Sequence, residues 1–174
     1  MVGKRVEKRG STMNHKGIKL YNLIFPVYIL WLIPPVFFVV AVLNFIIDSI
    51  VVLMGEKYLK IDNIFEKYKK VILQVWELGF VADFIGAAFL FGMSSLFSNL
   101  DIPIRYNIDY DPFGNVYALI ITIIGILIAG FFIFVFNRKI CFKNVDITER
   151  QKFILSLVMA IVTAPYLFLL PAQY

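Results

Sequence analysis

The sequence predicts an all-α integral membrane protein: a helical bundle of three full spans plus an N-terminal proline-broken helical hairpin or long kinked helix. Three observations carry this. Hydrophobic residues make up 60% of the 174 positions and charged residues 17%, against roughly 45–50% and about 25% in soluble domains; the mean hydropathy is +0.82. The apolar residues gather into runs at 21–54, 71–98, 113–136 and 153–170. All 17 Lys and Arg side chains fall outside those runs. Together these exclude a soluble enzyme domain and a disordered chain. The lone Cys141 excludes an intrachain disulfide and a cysteine metal cluster.

Residues 1–19 read as a basic cytoplasmic tail, and 20–174 as a single transmembrane helical domain. The run behind the tail is far longer than a signal-peptide core of roughly 7–15 residues and carries no small-x-small site, so no cleavable leader is expected. Val2 does not fit the myristoylation pattern. About 20 apolar residues cross ~30 Å of hydrocarbon, so the last three runs fit single spans, the fourth a little short. The first would make a helix of about 51 Å with Pro34-Pro35 inside it. An interior proline removes a hydrogen bond and clashes with the preceding turn, which predicts a kink or break there.

The connections have their own signals. In Glu56–Lys70, Ile61, Ile64, Phe65, Tyr68 and Val71 follow helical spacing among lysines. This predicts an interfacial amphipathic helix or a cytoplasmic extension of the second span, with Asn63 and Glu66 as a cap. The polar stretch Asn99–Pro112 runs into Asp-Pro-Phe-Gly-Asn and reads as a solvated turn. Asp146 with Glu149 reads as the cap of the last helix, and Pro165 and Pro171 mark its fraying end.

Charge placement predicts orientation. Six bases lie in the tail, five in 57–70, five in 138–152, and Arg105 stands alone between the second and third spans. Lys and Arg in short loops stay cytoplasmic. Four single crossings leave the bases almost evenly divided. If 21–54 enters and returns, all but Arg105 fall on one side, with the N-terminus cytoplasmic and the C-terminus extracytoplasmic.

The acids Asp48, Glu77 and Asp83 lie within apolar runs that contain no Lys, Arg or His. A charged group at the bilayer centre costs on the order of 2.5–3.5 kcal/mol on insertion scales. These acids should therefore be protonated, face the bundle interior or water, or hold a cation. Asn44 shares the helical face of Asp48, and Asn44, Asp48 and Glu77 are expected to meet as a polar cluster. Asp48, Asp83, Glu77 and Asn44 are the candidate cation- or proton-binding residues, against the alternative of neutral acids hydrogen-bonded between helices or seated near the headgroups. Gly79, Gly86, Ala118, Gly125, Ala129 and Ala160 fall on small-residue stripes that let helices pack closely.

His15 is the only histidine, and no Walker loop, dinucleotide fingerprint or nucleophile–base pair is present. No enzyme activity, cofactor or metal site is predicted. The segments Asn44-Phe-Ile-Ile-Asp-Ser and Val75-Trp-Glu-Leu-Gly-Phe-Val-Ala-Asp-Phe-Ile-Gly resemble, loosely, those of small uncharacterised bacterial multi-pass membrane proteins, a resemblance that implies no activity. The Ile-, Phe- and Lys-rich composition suits an AT-rich bacterial source.

The expected role is an accessory or structural subunit of a membrane complex. The alternative is a small proton- or cation-linked transporter or channel using the intramembrane acids; a third is a lipid-handling protein. Expected partners are anionic lipids, met by the tail and 56–70, and a second copy or another membrane protein, but not nucleic acid. The cell membrane is the expected location.

Overall fold

Proline is tolerated in the first turn of a helix, where its missing N–H has no intrahelical partner in any case. The chain uses Pro34-Pro35 in that way. The computed structural model describes Pro26, Tyr28, Ile29 and residues 33–171. Within it α1 spans Pro34–Tyr58, with Ile33 extended at its N-cap (φ −66°, ψ 125°). The first apolar run is thus broken at the prolines, and a single kinked helix through it does not form. The basic tail, most of the limb before Pro34, and residues 172–174 lie outside the described residues, so the returning hairpin falls there too.

Among the described residues four helices are long and apolar enough to cross a membrane: Pro34–Tyr58, Ile64–Phe97, Val116–Cys141 and Glu149–Leu169. The described residues contain no strand. The protein is an all-α membrane bundle, and α1 is by itself a candidate span, which makes four where three full spans and a broken element were expected.

The helix α2 spans Ile64–Phe97. At 1.5 Å per residue it is about 51 Å long, so its first turns project beyond the hydrocarbon. A separate amphipathic helix over 56–70 does not form. Instead α1 runs to Tyr58, a turn carries Lys60 (φ 51°) and Asn63 (φ 54°) in the left-handed region, and α2 begins at Ile64. Buried Ile61 anchors this turn. Asn63 makes no side-chain cap bond; its role is to adopt a backbone conformation that Asn tolerates better than most residues.

The stretch after α2 is more ordered than a turn. Asp101 accepts from the Ile104 N–H and opens α3, Ile102–Tyr110. Asp109 is buried, accepts a 2.8 Å hydrogen bond from the Tyr28 hydroxyl, and lies 3.7 Å from Arg105. Asn115 caps α4, Val116–Phe136, by accepting from the N–H groups of Tyr117 and Ala118. A π-helical turn, Asn137–Cys141, follows.

The last helix, α5, spans Glu149–Val162. Its cap is Thr148 paired with Gln151 in a capping box, two residues from the expected Asp146 and Glu149 pair. Glu149 remains useful in the first turn, facing the positive end of the helix dipole. Fourteen residues make only about 21 Å. The helix stops at Thr163–Pro165, because proline cannot continue the hydrogen-bond ladder, and Tyr166–Leu169 completes the span as a 3-10 turn.

The bundle centres on α2 and α4. A Cβ placed on Gly86 would stand 2.9 Å from the Gly125 carbonyl oxygen and 3.0 Å from the Ala129 Cβ. Ala82, Ala118 and Ala129 have no exposed surface. Gly130 lies against the Ala160 carbonyl, bringing α4 near α5. The ends of α1 and α4 and the starts of α2 and α5 share one end of the molecule: Gln151 donates to the Leu59 carbonyl, and one groove joins 60–70 to 144–151. Among the described residues that end holds every Lys and Arg except Arg105.

Candidate functional site

The helix α1 meets the bundle along a narrow stripe. Its buried residues are Ala41, Asp48, Val52 and Glu56, while Val39, Ile46 and Ile50 face outward. Two polar contacts pin the stripe to α2. The Trp76 indole N–H donates to the Ala41 carbonyl at 3.0 Å, and the Tyr68 hydroxyl donates to Ser49 Oγ at 2.9 Å. Asp48 lies in chain order between these contacts and is only 6% exposed. Periodicity alone explains its direction: it is seven residues, two turns, beyond Ala41.

Asp48 and Asp83 line one cavity of about 400 Å³ between α1, α2 and the broken end of α5. Asn44, Trp76, Gly79 and Thr163 also contribute to its wall. A Cβ on Gly79 would lie 3.9 Å from Asp48 Oδ2, and Asp83 is one turn further along α2. No hydrogen bond or ion pair reaches the Asp48 carboxyl among the described residues. Asp83 Oδ1 is buried without a hydrogen-bond partner. The wall contains no Lys, Arg or His among the described residues. Two ionised carboxylates here would place uncompensated like charges in a low-dielectric interior. A proton or a positive charge held between them would remove that cost.

The candidate site is therefore Asn44, Asp48 and Asp83, which line one cavity. Glu77 is not part of it: its side chain is exposed on the outer face of α2 with Leu73, Val81 and Phe84. The expected cluster of Asn44, Asp48 and Glu77 does not form, because Glu77 points away from the α1 contact while Gly79 and Asp83 face it. Of the small residues, Gly86, Gly125, Ala118 and Ala129 sit in the α2–α4 contact, Ala160 meets α4, and Gly79 borders the acid.

Glu56 escaped the reading of the sequence as a polar connector. It is 1% exposed, and its Oε2 is buried without a partner. Its position four residues after buried Val52 was the available signal, since that spacing continues the buried stripe of α1 by one turn. Asn137 Oδ1 and Ser156 Oγ are likewise buried without partners. Cys141 is buried.

The non-helical backbone at Thr163–Pro165 borders the cavity. Irregular backbone at membrane depth is tolerated where it is buried in protein or lines a wet cavity. Fold and cavity together define a helical multi-pass membrane protein with acids buried inside its bundle. No protein-family model, curated protein or solved structure matches the chain.

Proposed function

We propose that the protein is a small proton- or cation-linked transporter or channel in which Asp48 and Asp83 take up the ion. The observation that carries this is the Asp48 carboxyl, 6% exposed and without a partner among the described residues, on a cavity it shares with Asp83. The broken end of α5 beside the cavity supports it, as discontinuous helices at membrane depth accompany ion sites. Reconstitution into liposomes tests it. An imposed pH or Na⁺/K⁺ gradient should be dissipated by the wild type and not by Asp48→Asn or Asp83→Asn. Equal leak from all of them, or none from any, removes the reading.

The accessory or structural subunit keeps support from a different residue. Glu77 exposes a carboxyl on an outer stripe with Leu73, Val81 and Phe84, and lipid tails solvate a carboxyl poorly. A neighbouring subunit, a second copy or another membrane protein, would solvate it by covering that stripe. Mild-detergent purification should then recover the protein in a larger assembly, and Glu77→Leu should lose the partner. An assembly unchanged in Glu77→Leu argues against this contact.

For orientation we infer that the basic end faces the cytoplasm and that the chain ends on the opposite side, in the cell membrane, with the lysines near anionic headgroups. Reporters fused after Lys60 should be cytoplasmic and those after Ile108 external; the reverse pattern inverts the proposed topology.

A further inference from the structure

We propose that the cavity between α1, α2 and the broken end of α5 binds an organic cation with an apolar body. This rests on the ion-linked reading above and names its substrate class. Size is the first argument. About 400 Å³ holds roughly a dozen waters at ~30 Å³ each and falls within the ~300–1,000 Å³ of small-molecule sites. A dehydrated divalent ion instead needs about six oxygens at close, shared distance. Here Asp48 and Asp83 are joined by no third acid, His or Cys in a metal-holding group among the described residues.

The lining is the second argument. Apart from the two carboxyls and a few neutral polar groups such as Asn44, the wall is mostly apolar, with Trp76, Phe80 and Phe168 among its aromatic residues. Carboxylates beside aromatic rings are the chemistry that recognises ammonium and phosphonium groups. An anion of the same shape would meet two acids and no base. The built feature is Asp48 itself, buried to 6% exposure, its carboxyl on the cavity wall and without a partner among the described residues. A bound cation would supply the missing counter-charge, and the aromatic side would cover its apolar body.

The test uses the full chain in mild detergent with tetraphenylphosphonium, its anionic counterpart tetraphenylborate, and the smaller cation benzyltrimethylammonium. Equilibrium dialysis should show saturable binding of at least one cation and none of the borate. Asp48→Asn and Asp83→Asn should each weaken that binding at least tenfold. Gly79→Leu keeps both acids but extends a side chain toward Asp48, whose Oδ2 would lie 3.9 Å from the added Cβ; it should weaken binding similarly. Each variant is first shown to be monodisperse.

Equal binding of the phosphonium and the borate, insensitive to the Asn substitutions, would mean a merely greasy cavity and overturn the proposal. So would failure of both cations to bind. If proteoliposome flux through the same acids persists in that case, only the substrate class is wrong. Acid-dependent cation binding without flux would instead uphold the site and remove the transport reading.

Discussion

Replacing Gly86 with leucine is expected to leave almost no folded protein. The Cβ alone would sit 2.9 Å from the Gly125 carbonyl oxygen, 3.0 Å from the Ala129 Cβ and 3.3 Å from Phe168 Cε2. The first of these is backbone in the middle of α4 and cannot rotate away. Overpacking by a methylene or two costs about 1–3 kcal/mol, a scale suited to Gly86→Ala. Leucine adds three more carbons to a contact with no spare space, and α2 and α4 would have to separate. Helix association in lipid rests largely on close packing rather than on apolar burial, so a separated pair has little to hold it. Thermal unfolding in detergent, followed by size-exclusion chromatography, reads the effect. Gly92→Ala is the internal control. Outside its own turn of helix, no described atom lies within 4 Å of its added Cβ, and alanine is the better helix former by about 1 kcal/mol, so its Tm should hold or rise.

Asp48→Asn and Asp83→Asn should reduce gradient-driven flux at least tenfold while leaving Tm equal or higher. The two readouts move in opposite directions for one reason. Among the described residues no hydrogen-bond donor reaches either wild-type carboxyl, which is costly to the fold and, on the proposed reading, useful to an ion. An amide of the same shape removes the ionisable group and with it the cost of burying charge. Acids that served as structural struts would behave otherwise: their amides would lower Tm, and flux would be lost only through unfolding. Tm and flux measured on the same preparation separate these cases. A fall in Tm matching the fall in flux would sink the ion-binding role.

The helical membrane class and the proline break were legible in the sequence because each depends on local chemistry. Apolar run length answers to bilayer thickness, and Pro34-Pro35 acts on its own turn. The connectors were less legible. Asn63 satisfies a capping pattern by composition, yet the turn needs its left-handed backbone, and Thr148 with Gln151 won the cap that Asp146 and Glu149 also spell. Competing local patterns so close together are decided by where the neighbouring helices start. The stretch after α2 reads as solvated because of its acids, but Tyr28, distant in sequence, donates to Asp109 and helps to bury it.

The acids divide in the same way. Their cost in lipid made Asp48, Glu77 and Asp83 stand out from the sequence alone, and periodicity put Asn44 beside Asp48. Which face of α2 meets α1 is not a property of α2. It follows from the fit of Gly86 and Gly125 across the α2–α4 contact and from Trp76 reaching the Ala41 carbonyl. Once that rotation is set, Asp83 turns toward the cavity and Glu77 away from it. The sequence by itself determined a four-run membrane chain with acids out of place. Only the tertiary structure decided which of them share a cavity, because side-chain partners across helices depend on packing that no single helix encodes.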